Sequence, residues 1–162
     1  MIWLAIIVLI LLVCFAGVLL FGAPYLPTLR PQMKTAVELA GLKPGQTMLE
    51  LGCGDGRVLI AAAQKGYHAV GYELNPFLAA IAWFRTRRYR GQVRVVWGDF
   101  WRAEWPPADA VFTFLLPRYM DKLDKKCADY PHRPLRLVSF AFQIPDKKPR
   151  RHRAGIYVYD YA

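Results

Sequence analysis

Three glycines at alternate positions, Gly52, Gly54 and Gly56, mark the stretch of this sequence best suited to bind a small molecule. They follow the acidic residue Glu50 at the end of a short apolar segment, and an amphipathic segment comes directly after them. Glycine lets the backbone turn sharply and leaves no Cβ between the main chain and a ligand. The sequence therefore predicts a strand, a glycine turn and a helix, with a ligand bound against bare main chain at the turn.

Two common nucleotide-binding patterns do not fit this turn. The dinucleotide fingerprint G-x-G-x-x-G would need a third glycine where this chain has Arg57. A phosphate loop would need Gly-Lys-Ser or Gly-Lys-Thr after the turn, and neither follows. The remaining pattern, E-x-G-x-G-x-G at residues 50–56, resembles motif I of the Rossmann-like S-adenosylmethionine methyltransferases.

A second acidic residue, Glu73, lies 17 residues after Gly56, at the end of the apolar segment 68–72. Nucleotide-binding α/β folds place a carboxylate there that accepts hydrogen bonds from both ribose hydroxyls. We therefore predict that Glu73 binds the ribose of S-adenosylmethionine, the alternative being a solvated carboxylate at a strand end. Asn75 and Pro76 follow as the expected N-cap and first residue of a helix.

A third acidic residue, Asp99, ends the apolar segment 93–97 after one glycine and precedes Phe100 and Trp101. A carboxylate beside aromatic rings suits hydrogen bonding to the adenine amino group and stacking on its ring, although a turn with core aromatics is equally compatible. The residues predicted to contact the cofactor are Glu50, Gly52, Cys53, Gly54, Gly56, Glu73, Leu74, Asn75, Asp99 and Phe100.

Alternating helices and strands must position these residues. The apolar pattern predicts helices at 32–41, 56–65, 76–89 and 118–129, and strands at 47–51, 68–72, 93–97, 109–115, 135–142 and 156–161. This alternation is typical of an α/β fold, here Rossmann-like, with a mostly parallel sheet and helices on both faces. Ligands of such sheets bind beyond the carboxyl ends of the strands, where the glycine turn and Glu73 both fall.

The first 23 residues carry no charged side chain. As a helix they would be about 35 Å long, which is enough to cross a bilayer core of about 30 Å. A cleaved signal peptide would have a basic first region and a shorter apolar run, and this segment has neither. We therefore predict one N-terminal transmembrane helix at residues 1–23.

Three prolines within residues 24–34 predict a stiff, extended linker between this anchor and a methyltransferase domain at residues 35–162. Arg30 and Lys34 are the first basic residues after the apolar segment. By the positive-inside rule they place the catalytic domain on the cytoplasmic side of a membrane, or on the matrix side if the protein is mitochondrial.

The net charge of +10 is concentrated in two clusters, one of Arg85, Arg87, Arg88 and Arg90 and one at residues 147–153. Nucleic acid is one class of partner for such clusters. Beside a predicted membrane anchor, attraction to anionic headgroups is the simpler interpretation. The sequence thus favours an anionic lipid surface over nucleic acid as a partner.

Cysteine and histidine are few and scattered. Cys14, Cys53 and Cys127 show neither metal-ligand spacing nor a disulfide framework, and the three histidines have no acidic or nucleophilic partner nearby in sequence. The sequence therefore predicts no metal site and no catalytic triad.

The predicted strand 109–115 runs into Leu116 and Pro117. In Rossmann-like methyltransferases the residues just past this strand face the methyl group, and many enzymes that methylate amines have Asn/Asp-Pro-Pro-aromatic there. This chain has Phe-Leu-Leu-Pro instead, in which no side chain can accept a proton. We predict that Leu115, Leu116 and Pro117 form the catalytic turn that presents an amine.

Several segments together resemble the membrane-anchored lysine methyltransferases that modify the mitochondrial adenine nucleotide translocase and the ATP synthase c-subunit. These segments are the apolar N-terminus with Tyr25-Leu26-Pro27, residues 54–57, 70–76 and 99–101, and Leu116-Pro117. The resemblance implies methyl transfer from S-adenosylmethionine to the ε-amine of a lysine in a membrane protein. A methyltransferase acting on a lipid or small amine, and a non-catalytic membrane-tethered module that binds S-adenosylmethionine, are the alternatives.

Overall fold

The computed structural model describes residues 2–6, 8–9 and 28–162 of the chain. Helices and strands alternate along residues 28–162, as the apolar periodicity predicts. The helices are α1 (Arg30–Ala40), α2 (Arg57–Gln64), α3 (Pro76–Thr86) and α4 (Met120–Ala128), with 3₁₀ turns at Arg87–Tyr89 and Pro117–Tyr119. The strands are β1 (Thr47–Leu51), β2 (His68–Glu73), β3 (Val93–Trp97), β4 (Ala110–Thr113), β5 (Leu135–Phe140), β6 (Arg151–Arg153) and β7 (Ile156–Tyr161).

These strands form one sheet in the order β3-β2-β1-β4-β5-β7-β6. The first five strands in that order run parallel, while β7 is antiparallel to both of its neighbours. The register pairs Leu51 with Tyr72 on one side and with Thr113 on the other, so that β1, β2 and β4 end at a common edge. The predicted α/β fold with a mostly parallel sheet is confirmed.

Helices cover both faces of this sheet. On one face α1, α2 and α3 pack through buried apolar residues such as Val37 and Leu59. On the opposite face α4 contributes Leu123 to a second buried cluster. Successive residues of β1 alternate between the two, with Met48 in the first cluster and Leu49 in the second. The sheet is therefore buried on both sides, and its carboxyl edge is the natural place for a ligand.

Four strands differ from the sequence prediction, two of them slightly: β2 extends one residue further, to Glu73, and β5 ends at Phe140 and not at residue 142. Strand β4 ends at Thr113 and not at residue 115, because the chain turns toward a 3₁₀ helix that begins at Pro117, whose ring fixes φ and removes the backbone donor. Strand β6 was not predicted at all. Its residues, Arg151–Arg153, are all exposed and show no apolar alternation, and the strand exists through backbone pairing with β7.

The predicted transmembrane helix, residues 1–23, lies mostly outside the described residues. In the described part of the chain no helix is long and apolar enough to cross a membrane. This finding contradicts the predicted localisation as a single-pass membrane protein with its catalytic domain on the cytoplasmic or matrix side.

The predicted linker, residues 24–34, lies outside the described residues as far as residue 27. Helix α1 begins inside its remaining part, at Arg30, with Leu29 as N-cap and a proline in the first turn, where proline is tolerated. The boundary between this linker and a domain at residues 35–162 stays a prediction.

Candidate cofactor-binding site

The turn after β1 has the backbone conformation that its glycines allow. Gly52, Gly54 and Gly56 have φ angles of 82°, 53° and 79°, which L side chains rarely adopt. The amides of Gly52 and Cys53 both donate to the carbonyl oxygen of Tyr72, at 2.9 and 2.8 Å, and so fix the turn against the end of β2. A Cβ added at Gly52 would meet no atom within 4 Å. Bare main chain at Gly52 therefore faces open space at the carboxyl edge of the sheet.

Gly56 serves packing and not ligand access. A Cβ at this position would lie 3.2 Å from the Cα of Ala82 and 3.2 Å from Cγ2 of Thr86, both in α3. The glycine thus lets α3 lie directly against the turn. Cys53 is also turned inward, since its side chain is buried in the core and a Cβ at Gly71 would be 2.7 Å from the Cβ of Cys53.

Glu73 is buried at the end of β2, and both of its carboxylate oxygens are engaged by backbone amides. Oε2 accepts a hydrogen bond from the amide of Gly54 at 2.8 Å, and Oε1 accepts one from the amide of Asn75 at 2.8 Å. The side chain of Asn75 in turn accepts from the amides of Phe77 and Leu78 and caps α3, as predicted. A single carboxylate therefore ties the glycine turn to the start of α3, and each of its oxygens keeps a further lone pair.

Glu50 is a buried carboxyl group beside the same turn, with 4 % of its surface exposed. Within the described residues its Oε2 atom has no hydrogen-bond partner. Burial raises the pKa of Glu50 well above its ordinary value, and the nearby carboxylates of Asp55 and Glu73 raise it further. A buried acceptor without a partner is costly, so this position is suited to receive a positively charged donor from a ligand.

Asp55 is a site residue that the sequence analysis did not single out. Arg57 donates to its two carboxylate oxygens from Nε at 2.9 Å and from Nη2 at 2.8 Å, and Arg85 of α3 forms an ion pair with the same group. Burial raises the pKa of Asp55, but the hydrogen bonds of Arg57 and the charges of Arg57 and Arg85 outweigh it and hold the pKa below its ordinary value. Because Arg85 is 30 residues away, no local spacing could have predicted this pair.

The turn after β3 holds the predicted adenine contacts. Asp99 accepts a hydrogen bond from the amide of Trp101 at 2.8 Å, and the carbonyl oxygen of Phe100 accepts one from the indole of Trp105 at 2.9 Å. The rings of Phe100 and Trp101 have centroids 4.8 Å apart, and Trp101 lies 5.9 Å from Tyr119. This aromatic row connects the turn after β3 with the turn after β4.

The predicted catalytic turn comes after β4. Leu115 is buried, Leu116 is half-buried and Pro117 is exposed at the start of the 3₁₀ helix. Next to this turn, the ring of Phe114 lies 4.5 Å from that of Phe140, which ends β5, and 6.5 Å from that of Phe142. The parallel pairing of β4 and β5 assembles this apolar cluster, so no local pattern in the sequence could have indicated it.

The structure therefore brings the predicted residues to the carboxyl ends of neighbouring strands β1, β2, β3 and β4. Leu74, also predicted as a cofactor contact, is exposed, and its carbonyl oxygen accepts a hydrogen bond from the indole of Trp97 at 3.1 Å. Within the described ranges, no group of three or more His, Cys, Asp or Glu side chains is arranged to hold a metal ion.

Known proteins share this sequence pattern over most of the chain. The model of the ANTKMT methyltransferase domain matches residues 50–151. The lysine N-methyltransferase of the ATP synthase c-subunit from Xenopus laevis is 33% identical over 128 residues, covering 78% of this chain and 56% of that protein. A protein-lysine N-methyltransferase of Saccharolobus islandicus is 31% identical over 132 residues, covering 78% of this chain and 81% of that protein. The chain thus spans about half the length of the animal relative and most of the archaeal one.

A similar solved structure is that of an RNA methyltransferase of Salinibacter ruber in complex with S-adenosyl-L-homocysteine. It superimposes with a TM-score of 0.76 at 29% sequence identity, covering 84% of this chain and 92% of that one. The Rossmann-like methyltransferase fold expected from the sequence is confirmed.

Proposed function

The chain belongs to the family of the ANTKMT methyltransferase domain, and from that premise we propose that it transfers a methyl group from S-adenosylmethionine to a lysine ε-amine of a membrane protein. The observation that carries the proposal is the site at the carboxyl edge of the sheet. There, the open glycine turn, the carboxylate of Glu73 and the unpartnered carboxyl oxygen of Glu50 lie within the part of the chain that matches the family.

The chemistry of these residues fits S-adenosylmethionine. Glu50 offers a buried acceptor to the positively charged end of the cofactor, Gly52 leaves room for it above the main chain, and Glu73 has lone pairs left for ribose hydroxyls. Asp99 and Phe100 are the proposed adenine contacts. When bound, the cofactor supplies an electrophilic methyl group attached to a sulfonium sulfur.

The turn at residues 115–117 is proposed to receive the lysine. Only the neutral amine has the lone pair that attacks a methyl group, and holding a lysine of pKa about 10.4 neutral at pH 7 costs about 4 to 5 kcal/mol in water. Buried Leu115, half-buried Leu116 and the neighbouring ring of Phe114 form an apolar surrounding that lowers the cost by disfavouring the ammonium form. The contribution of Leu115, Leu116 and Pro117 is therefore desolvation and alignment, which together can supply several kcal/mol of the barrier.

The proposed partners follow from the relatives and from the charge. The Xenopus relative is named for a component of ATP synthase, which supports a membrane protein as substrate. The net charge of +10 supports contact with an anionic lipid surface, and nucleic acid is not the favoured partner.

The test is transfer of tritiated methyl groups from S-adenosylmethionine to a membrane fraction prepared from cells that lack this protein. We expect label in a protein band, on lysine as identified by mass spectrometry, with the wild-type chain and with Glu38→Ala. Glu38 is an exposed acid at a surface ion pair, so its loss is a matched control. Glu73→Ala should abolish most of the transfer. Label in the organic extract would instead select a lipid or small amine as substrate, and cofactor binding without any transfer would select a non-catalytic module.

RNA methylation is a second candidate, because the solved structure from Salinibacter ruber is described as an RNA methyltransferase. The same assay with total RNA at physiological salt distinguishes the two, since nonspecific binding to the phosphate backbone weakens steeply with salt. Label retained in RNA under those conditions would replace the lysine proposal.

A further inference from the structure

Helix α3 leaves an unusual part of its surface uncovered. Its inner face buries Ala79, Ala82 and Thr86 against the rest of the domain. The other side exposes large apolar residues, which we call the aromatic face: Phe77 is 44% exposed, Ile81 46%, Trp83 64% and Phe84 57%. Phe77, Ile81 and Phe84 have the i, i+4, i+7 spacing that aligns side chains along one stripe of a helix.

A helix that is apolar on nearly all sides is normally covered on all sides. In the part of the chain that the structure describes, nothing covers the aromatic face. Scattered exposed apolar residues are ordinary, but four large ones within eight residues form a contiguous patch of the kind that marks an interaction surface.

Basic residues border the aromatic face, and no acidic residue occurs between residues 76 and 94. The guanidinium of Arg87 lies 4.2 Å from the ring centroid of Phe84. A cavity of about 330 Å³ opens beside Phe84, and Arg85, Arg87 and Arg88 are among its lining residues. The surface thus combines an apolar centre with a cationic margin that can hold a phosphate group.

We propose that the aromatic face is a peripheral docking surface for a bilayer that contains anionic phospholipids. Helices of this type lie in the plane of the membrane with their apolar side chains at the boundary between headgroups and acyl chains. Tryptophan is enriched at that depth, and basic residues near the surface gain from anionic headgroups. Trp83, Ile81 and Phe84 supply the apolar side chains that would enter this boundary, and Arg87 and Arg88 supply the basic residues near the headgroups.

The charge around the aromatic face favours an anionic bilayer over a second copy of the chain as its partner. A symmetric dimer through the aromatic face would bring the arginines of both copies together with no acidic residue between positions 76 and 94 to pair with them. Nucleic acid would satisfy the arginines, but Ile81 and Phe77 would gain little from a phosphate backbone. A bilayer with anionic headgroups accommodates both the charge and the apolar side chains.

The second basic cluster, residues 147–153, lacks these features. Three of its residues are already paired, Lys147 with Asp124, Arg150 with Asp160 and Arg153 with Glu38. Among the described residues, no exposed large apolar side chain lies within this second cluster. Charge alone therefore does not define the docking surface, and this cluster supplies a matched control.

This inference deepens the lipid-surface part of the proposed function and rests on it. Such docking requires no membrane-spanning helix, because the aromatic face contacts only one leaflet. Its failure is distinguishable from failure of methyl transfer when the transfer assay is repeated on the same membrane fraction after solubilisation in detergent, where no lipid surface is left for docking.

The experiment attaches an environment-sensitive fluorophore to Ile81→Cys in the full chain, with Cys14→Ser to remove a competing thiol; Cys53 and Cys127 are buried. Lys148→Cys, at an exposed position of the second cluster, is labelled in the same way as a control. Both are mixed with vesicles of phosphatidylcholine, or of equimolar phosphatidylcholine and phosphatidylglycerol, at physiological salt. The apolar residues 1–23 are common to all variants, so the difference between positions 81 and 148, and between the two pairs of charge substitutions, isolates the contribution of the aromatic face.

We expect a blue shift at position 81 with the anionic vesicles and none at position 148. Adding Arg87→Gln and Arg88→Gln should raise the lipid concentration for half-maximal shift roughly 30-fold, since each arginine contributes a factor of about five. Lys148→Gln with Arg151→Gln, the same change of charge, should leave it unaltered. Phe77→Cys gives an independent labelled position should Ile81→Cys fail to fold.

Three results would overturn the proposal. They are the absence of a shift at positions 77 and 81, an equal shift with vesicles of phosphatidylcholine alone, and an equal effect of the two pairs of charge substitutions. A shift produced by RNA and not by vesicles would assign the face to nucleic acid.

Discussion

At the scale of single residues, Glu73 combines a structural and a proposed binding role in one carboxylate. It holds the amides of Gly54 and Asn75, and the ribose is proposed to share its remaining lone pairs. Glu73→Ala should weaken S-adenosylmethionine binding by about 1 to 3 kcal/mol, as expected for lost charge-assisted hydrogen bonds. Isothermal titration calorimetry measures the change, with Glu38→Ala as the control. Unaltered affinity would remove Glu73 from the cofactor site.

Glu50 gives a second prediction at this scale, on stability. Its pKa is raised in the fold, so between the ordinary pKa of glutamate and the raised value the folded state binds more protons than the unfolded state. In that window its contribution makes the free energy of unfolding fall as pH rises. Glu50→Gln should remove this slope and raise the free energy of unfolding at neutral pH by about 1 to 3 kcal/mol without cofactor.

Urea unfolding of the wild type and of Glu50→Gln across the mildly acidic to neutral range tests this expectation. The same variant should bind S-adenosylmethionine more weakly, because the amide cannot offer a negative charge to a cationic ligand. A variant less stable than the wild type at neutral pH would show that the carboxyl group is already compensated in the fold.

At the scale of elements, two glycines of one turn should respond differently to the same substitution. Both have φ near +80°, so alanine at either position pays about 1 to 2 kcal/mol of backbone strain. Only at Gly56 would the new Cβ also crowd Ala82 and Thr86 of α3. Gly56→Ala should therefore lower the free energy of unfolding more than Gly52→Ala, by about 1 to 3 kcal/mol.

Gly52→Ala should instead weaken cofactor binding more than it lowers stability, because its Cβ points into open space at the site. Chemical unfolding and calorimetry on the two variants separate these effects. Equal losses of stability would mean that α3 can shift away from the turn without cost.

The elements themselves were predictable where the apolar pattern is strong, and less so elsewhere. Strands β1, β3 and β7 have the predicted bounds, since each carries a run of apolar residues bounded by turn residues. Strand β6 escaped prediction because three exposed basic residues resemble solvated surface. The glycine turn could be placed at its position because its positive φ angles restrict the residue types. By contrast, the cluster of Phe114, Phe140 and Phe142 depends on strand pairing, which a local pattern does not contain.

At the scale of the whole molecule, three aspartates join separate parts of the domain. Asp55 binds the glycine turn to α3, Asp124 joins α4 to Lys147 and Tyr161, and Asp160 joins β7 to Arg136 and Arg150. Burial raises the pKa of each carboxyl group, but the basic partners and hydrogen bonds outweigh it and leave each pKa below its ordinary value.

A carboxyl group whose pKa is lowered on folding adds stability at pH values above its unfolded pKa, and that stability is lost as pH falls through the folded pKa. We therefore expect cooperative acid unfolding below the ordinary pKa range of aspartate. Asp55→Asn should lower the free energy of unfolding at pH 7 by about 1 kcal/mol, since Arg85 is partly exposed. It should also reduce the loss of stability as pH falls, which circular dichroism measures as a function of pH. An unchanged dependence of stability on acid pH would mean that Asp55 does not couple the turn to α3.

Two features of the whole molecule could not be judged from the apolar pattern alone. The predicted N-terminal anchor lies mostly outside the described residues, among which no helix is long and apolar enough to cross a membrane. The aromatic face of α3 was not recognised. Its residues fit the apolar pattern of a core helix, and only the fold shows which of them stay exposed.

The sheet ends on one side at β6, whose outer backbone groups face no further strand among the described residues. An open edge of this kind is a template on which another chain can add a strand and begin a fibril. Arg151 and Arg153 place charged side chains on that edge, and charged residues on an edge strand disfavour its pairing with an identical edge. The residues that escaped prediction because they look like ordinary surface are thus well placed to guard the protein against self-templated aggregation.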